Sequence, residues 1–340
     1  MRTSAGHRFT VFWQRHKENL SRDRIAVIGS EEPVNYECLN KGNCNFISNQ
    51  KETLKKAKKL GFNVSTVIRG KFDTIILETT KNTEHNLALF ALAESTLIHH
   101  GSLILNGENS LGVQSFLKRI NYYWNYSDLL IKRRGRIAIF IKKNSLSMQI
   151  KHWHHLSKIK LNKDGYYTSP DMFSPKKVDN GSRKLTIAFK NKLHGRVADL
   201  GAGWGYLSKE ALKKNCNIRK ITLFEQNFSA IKAAKLNLLD DRATFKWMDI
   251  KSLKNLKTKF DHVICNPPFH IGQKKSIELL KLFIDCSSHV IGKTGCVWMV
   301  FITEINIDNY IFNAFKNSKI VSKDKNYKVY EMSKTIKKRT

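Results

Sequence analysis

The chain of 340 residues carries 60 lysines and arginines against 28 aspartates and glutamates, a formal net charge of +32, with 41% apolar and 10% aromatic residues. This composition accommodates two domains of ordinary size, each with its own core, and excludes a disordered or fibrous chain. No uninterrupted apolar stretch is long enough to cross a bilayer, and the first twenty residues lack an apolar h-region, so a soluble, cytoplasmic protein without a secretory signal is expected.

A cationic excess of this size attracts polyanions at long range, and nucleic acid is the commonest large polyanion in a cytoplasm. The six cysteines, at 38, 44, 216, 265, 286 and 296, form no CxxC pair and no zinc-ligand spacing, so neither a disulfide framework nor a metal centre is indicated.

In chain order, residues 1–20, with Arg2, Arg8, Arg15 and Lys17, read as a basic N-terminal tail. Residues 21–150 contain three apolar runs with strand character: "RIAVIGSEEP" from Arg24, "FDTIILETT" from Phe72 and "GSLILNGEN" from Gly101. Residues 151–190 mix basic, aromatic and turn residues. They read as a linker and hairpin able to touch RNA, or equally as a hairpin completing the next domain. The "HWHH" run (His152, His154, His155) lacks a neighbouring carboxylate or cysteine and reads as basic surface rather than as a metal site.

Residues 191–335 alternate regularly. "RVADL", "KITLFE", "TFKWMD", "FDHVIC" and "GCVWMVFI" have strand character, and "GYLSKEALKKN", "SAIKAAKLNLL" and "SIELLKLFIDCSSHVIG" have helical character. Such alternation predicts an α/β fold with parallel strands joined by right-handed crossovers and a sheet covered on both faces. Ligands in such sheets sit beyond the carboxyl ends of the strands.

Three features cluster at those ends. In "DLGAGWG", Asp199 leads into Gly201, Gly203 and Gly205 before a helix, which gives a backbone that a ligand can approach closely. Glu225 ends the next strand, where a carboxylate can accept both hydroxyls of an adenosine ribose. Asp249 ends the one after and suits an adenine amino group, or alternatively caps its own loop.

The fourth strand end, "CNPPFH", has two prolines that donate no backbone hydrogen bond and stiffen the loop beyond the sheet. The carbonyls of Asn266 and Pro267 can accept the two N–H bonds of an exocyclic amine, which draws its nitrogen toward a nucleophilic, tetrahedral shape. Pro268 helps to hold them aimed, and Phe269 can stack on a base. No P-loop and no Ser-His-Asp order stands out, which disfavours nucleotide hydrolysis and acyl transfer. His270 reads as a loop hydrogen-bonding residue rather than as a general base.

The two halves also match each other. "RIAVIGSEEP" parallels "RVADLGAGWG" at an offset of 172 (196 − 24), and "FDTIILETT" parallels "FDHVICNPP" at 188 (260 − 72). The first copy has lost its chemistry: Val27 replaces Asp199, Glu31 replaces Gly203, and Glu78, Thr79 and Thr80 replace Asn266, Pro267 and Pro268.

Together, "DLGAGWG", "FE", "MD" and "NPPF" resemble a class I S-adenosylmethionine-dependent methyltransferase of the amino-group type. With "NGENSLGVQS" (106–115), "MFSPKKVDNGS" (172–182) and the two-copy plan, nearly the whole chain resembles the ribosomal small-subunit guanine-N2 methyltransferase C family. The resemblance implies two tandem Rossmann-like methyltransferase domains, the first degenerate and noncatalytic, the second holding S-adenosyl-L-methionine. It further implies methylation of the exocyclic N2 of one guanine in small-subunit (16S) ribosomal RNA. Separately, a monomer is expected. Carried over by position, Asp199, Gly201, Gly203, Glu225, Asp249 and Asn266 serve the cofactor, and Asn266, Pro267, Pro268 and Phe269 serve the target base. Phe173, Asp179, Gly181 and Ser182 match a motif that folds over the cofactor. Ala202 and Trp204 depart from the residues usual in that family. A large-subunit guanine-N2 methyltransferase, a protein-glutamine methyltransferase and a noncatalytic RNA-binding protein are the alternative readings.

Overall fold

The computed structural model describes residues 3–142, 148–268 and 273–336. The chain divides into two compact units, Met1–Lys158 and Ile159–Thr340.

In the first unit the elements are α1 (Ser4–Leu20), β1 (Ile25–Ile28), β2 (Cys44–Ile47), α2 (Lys51–Lys59), β3 (Asn63–Ser65), β4 (Phe72–Glu78) and α3 (Thr83–Thr96). They continue with β5 (Leu97–Glu108), α4 (Val113–Asn121), β6 (Tyr126–Lys132), β7 (Gly135–Ile141) and α5 (Met148–His154). The second unit holds β8 (Lys160–Leu161), β9 (Tyr167–Thr168), α6 (Asn180–Ala188), β10 (Gly195–Leu200), α7 (Tyr206–Lys214), β11 (Ile218–Glu225), α8 (Phe228–Asn237) and β12 (Ala243–Trp247). β13 (Phe260–Cys265), α9 (Gln273–Val290), β14 (Ile291–Ile302), α10 (Asp308–Ala314), β15 (Phe315–Lys323) and β16 (Tyr327–Thr335) complete it.

The two large sheets have one topology. The first runs β3-β2-β1-β4-β5-β7-β6 and the second β12-β11-β10-β13-β14-β16-β15. Five strands of each pair in parallel, as the alternation predicts. The last two pair antiparallel, which the sequence reading did not anticipate. The cause is local: β15 and β16 are joined by a tight hairpin in which Asp324 accepts the N–H groups of Asn326 and Tyr327, so no crossover helix can intervene.

Pleating sorts each strand between two cores. Val197 and Ile264 pack on one face with Leu207, Ala234 and Trp298, whereas Ala198, Leu200, Val263 and Cys265 pack on the other with Phe283 and Ile284. Each such fully buried aliphatic side chain contributes about 1.5–3 kcal/mol.

Two expected boundaries change. The first twenty residues are not a tail, because residues 4–20 form α1. Its Phe9, Phe12, Trp13 and Leu20 share one stripe, buried against Val27, Tyr36 and Ile76. Residues 151–190 are not one linker: α5 belongs to the first unit, packing Trp153 on Phe90, while the β8–β9 hairpin and α6 belong to the second. Among the described residues no helix is long and apolar enough to cross a membrane.

Candidate active site

Four strands of the second unit, in sheet order β12, β11, β10 and β13, deliver Asp249, Glu225, Asp199 and Asn266 at or just beyond their carboxyl ends. Leu200 pairs with both Phe224 and Cys265, so the chain after β10 emerges level with Glu225 and Asn266. This brings together sequence positions as far apart as 199 and 266.

The loop after β10 turns on three glycines with left-handed φ: Gly201 at 69°, Gly203 at 55° and Gly205 at 89°. At Gly203 an added Cβ would meet nothing within 4 Å, so conformation, not crowding, requires glycine and the space beside it is open. The Gly203 N–H donates to Glu225 Oε2 at 2.8 Å and the Asn227 N–H to Oε1 at 2.8 Å, which fixes the Glu225 carboxylate. Burial pushes the Glu225 carboxyl above its usual range, and these two donors restrain the rise.

Asp199 is buried. Its Oδ2 accepts the Ser208 hydroxyl at 2.7 Å, and among the described residues its Oδ1 has no partner. Burial and the Glu225 charge push the carboxyl up to about 7, against the Ser208 hydrogen bond. Asp249 caps the short helical turn Ile250–Asn255: Oδ1 accepts the Ser252 N–H at 3.0 Å and Oδ2 its hydroxyl at 2.7 Å. The capping alternative is thus the one its hydrogen bonds display.

Asn266 is oriented from outside its own loop. Its Nδ2 donates to Asp179 Oδ2 at 2.9 Å and to Ser182 Oγ at 2.7 Å, leaving its buried Oδ1 without a partner among the described residues. Asp179 is simultaneously the N-cap of α6, accepting the Ser182 N–H at 2.9 Å, and it also hydrogen-bonds the Tyr327 side chain. Gly181 permits that approach, since a Cβ there would sit 2.9 Å from the Tyr327 ring. Pro267 is buried and Pro268 half-buried. Phe269 and His270 lie outside the described residues.

Residues that the sequence reading assigned no role fasten this arrangement. Trp204, the departure in the glycine loop, donates through Nε1 to Phe173 O at 3.0 Å and packs with Tyr166 and Tyr206. Asn237 Nδ2 donates to Trp204 O at 2.8 Å and to Tyr167 O at 2.9 Å, and its Oδ1 accepts the Tyr167 N–H. The β8–β9 hairpin and the 172–182 segment are thereby tied to the glycine loop. The sequence signal for this tie was the unusual tryptophan itself.

The first unit repeats the scaffold without the site. Gly29 keeps a left-handed φ of 77°, but Glu78 stands at the position of Asn266, and Tyr36 at that of Ser208 (208 − 36 = 172). Tyr36 is fully buried against the ring of Phe9, and its hydroxyl donates to Glu78 Oε2 at 2.6 Å. Burial pushes both groups up from their usual ranges.

The second unit thus offers unpartnered buried acceptors on Asp199 and Asn266, a half-buried carboxylate at Glu225 and open space at Gly203. This acceptor set suits a ligand carrying hydroxyl, ammonium and amine N–H groups. Among the described residues no group of three or more His, Cys, Asp or Glu side chains could hold a metal ion.

The family described as methyltransferase small domain matches residues 165–331, and its N-terminal counterpart, methyltransferase small domain N-terminal, matches residues 11–160. The ribosomal RNA small subunit methyltransferase C of Haemophilus influenzae (strain PittGG) is 26% identical over 272 residues, covering 79% of this chain and 82% of its own. That of Buchnera aphidicola subsp. Schizaphis graminum is 31% identical over 164 residues, 48% of each chain. A solved structure described as the T. thermophilus 16S rRNA N2 methyltransferase (RsmC) in complex with AdoMet and guanosine superposes with a TM-score of 0.77 at 18% identity, covering 92% of this chain and 88% of that one. This last likeness establishes the two-domain fold.

Proposed function

Because the chain belongs to the methyltransferase small-domain family, we propose that it transfers the methyl group of S-adenosyl-L-methionine to the exocyclic N2 amino group of a guanine in small-subunit (16S) ribosomal RNA. The observation that carries this reading is the unpartnered Oδ1 of Asn266, whose amide nitrogen is committed to Asp179 and Ser182. A buried acceptor with no partner has a free-energy cost of about 1–3 kcal/mol, which a substrate N–H relieves. The relatives that span most of this chain are ribosomal RNA methyltransferases by name, and the +32 charge suits such a substrate.

The residues divide the work. Glu225 accepts ribose hydroxyls with the lone pairs its two backbone donors leave free. Asp199, through Oδ1, accepts from a cationic ammonium, and the Gly201–Gly203 backbone lets the ligand approach. Asp249 shapes the loop beside them. When bound, S-adenosyl-L-methionine supplies an electrophilic methyl group on a sulfonium.

Asn266 Oδ1 accepts one N–H of the guanine amine and the Pro267 carbonyl the other, drawing the nitrogen lone pair out of conjugation with the ring. The prolines hold these dipoles aimed before the reaction, so little reorganisation is needed. Phe269 stacks on the base, a contact worth about 1–3 kcal/mol. The amine proton leaves to solvent after transfer. The protein works as a cytoplasmic monomer, and its first domain, with Tyr36 and Glu78 filling the equivalent place, takes no cofactor.

The deciding experiment is methyl transfer from radiolabelled cofactor to purified ribosomal subunits, followed by nucleoside analysis. N2-methylguanosine in the small subunit is the expected product. Label in the large subunit, in protein, or in adenosine overturns the assignment.

A further inference from the structure

The turn between β6 and β7 is built against its own backbone preference. Lys132 pairs with Gly135, leaving a two-residue loop of Arg133 and Arg134, with φ of 50° and 56°. Both central residues are therefore left-handed, a conformation in which hairpins overwhelmingly place Asn-Gly, because a Cβ is disfavoured there. Neither arginine side chain makes a hydrogen bond or ion pair among the described residues. Both are exposed, and among the described residues no acidic side chain pairs with either or with Lys132. The segment 132–136 holds four cations in five residues.

The strained turn is also held from below. Arg8, fully buried in α1, donates through Nη1 to Lys132 O at 3.2 Å and Arg133 O at 3.5 Å, and through Nη2 to Glu108 at 3.1 Å. Its Nε donates to Asn106 Oδ1 at 2.9 Å. Gly135 makes room for it, since a Cβ at that position would lie 2.1 Å from Arg8 Nη1. The Asn109 N–H donates to Arg134 O at 2.9 Å. Nearby carboxylates are already engaged: Glu108 by Arg8, and Asp128 by His16 at 2.9 Å. A buried guanidinium and a main-chain donor thus secure the carbonyls of a turn whose two side chains are exposed. Strain that the surrounding structure over-determines in this way marks a functional element.

We propose that the Arg133–Arg134 apex is a fixed cationic finger that binds the sugar-phosphate backbone of the RNA substrate. Two guanidinium forks on consecutive residues of a rigid turn can each chelate a phosphate, and pre-ordering of the turn lowers the entropy lost on contact. Backbone contacts of this kind position an RNA without reading its sequence. The inference rests on the substrate being RNA, as proposed above.

The test is the full-length double variant Arg133→Asn/Arg134→Gly, which installs the pair the turn prefers. Binding of fluorescent 16S rRNA transcript is titrated across a salt series, beside thermal melting and calorimetric cofactor affinity. A melting temperature at or above that of the parent, unchanged cofactor affinity, weaker RNA binding, and a slope of log affinity against log salt shallower by about 1.4–1.8 are expected, for two lost contacts. An RNA affinity and slope equal to the parent overturn the proposal. Should the double variant melt lower, Arg133→Lys/Arg134→Lys decides: it keeps the charge, so the slope must be retained, and its loss assigns the arginines to the fold alone. If the parent transfers methyl to RNA while the finger variant binds like the parent, only the finger fails. If the parent puts no label into RNA, the substrate assignment fails.

Discussion

Asp179 holds Asn266 across 87 residues of sequence: Nδ2 of the amide donates to Oδ2 of the carboxylate at 2.9 Å. With Ser182 Oγ at 2.7 Å this leaves the amide one stable orientation, carbonyl outward. An amide flip would set the Asn266 oxygen against a carboxylate and bury two donors facing away from them. The site therefore commits to a partner that donates.

Ser182→Ala removes one of the two acceptors and keeps the Asp179 cap. It is expected to lower kcat by about tenfold, near 1.4 kcal/mol, with cofactor affinity within about twofold of the parent. Asp179→Ala loses the cap as well and is expected to cost about 1 kcal/mol of stability in addition. Steady-state kinetics and calorimetry on both variants check this; an equal rise in KM with constant kcat would contradict an orienting role.

Asn266→Ala takes away the acceptor itself. A loss of about a hundred- to a thousandfold in kcat is expected, the scale seen for single preorganised hydrogen-bond groups, with cofactor binding retained. Parallel loss of both functions would place Asn266 in the cofactor site only.

Asp199 gives cofactor binding a pH signature. Its carboxyl, pushed up to about 7, is neutral in the free protein below that pH and must ionise to meet an ammonium. Cofactor affinity is expected to weaken as pH falls through 7, with proton release on binding that appears as a buffer-dependent calorimetric enthalpy. The raised value also acts on stability. Between the ordinary aspartate range and 7 the folded state binds the extra proton, so the contribution is present at low pH and is lost as pH rises through 7. His262, buried and pushed down to about 4, acts oppositely, losing stability as pH falls below its ordinary value. The Asp199 share is therefore read as the difference between the parent and Asp199→Asn melting curves, and a pH-independent difference would refute it.

Tyr36 and Glu78 close the first domain. Tyr36→Phe strips the half-buried Glu78 carboxylate of one of its donors and is expected to destabilise by about 1–3 kcal/mol while leaving methyl transfer per folded molecule unchanged. Calorimetry is expected to give one cofactor per chain, and Glu225→Ala to abolish that one event. Two sites per chain would overturn the reading of the first copy as filled.

Much was legible in the linear chain because its signals are local. Strand-helix alternation, glycines before a helix, and prolines after a strand act through backbone angles within a few residues, so β10, β11, β13 and their loops could be read directly. The duplication was legible for the same reason, since matching local patterns yielded matching sheets. The helical nature of residues 4–20 was hidden behind their charge: Arg8, Arg15 and Lys17 read as a tail, although Phe9, Phe12 and Trp13 carry a helical stripe whose partners, Val27 and Ile76, are distant in sequence.

Residue type alone established that an amide, two prolines and a chain of acidic strand ends were available for amine chemistry. Which way the amide faces, what Asp249 holds, and where the Trp204 indole N–H points depend on Asp179, Ser252 and Phe173, brought within hydrogen-bond distance only by folding. Backbone conformation is a short-range property, whereas the orientation of a buried polar group is chosen by whichever long-range partner satisfies it.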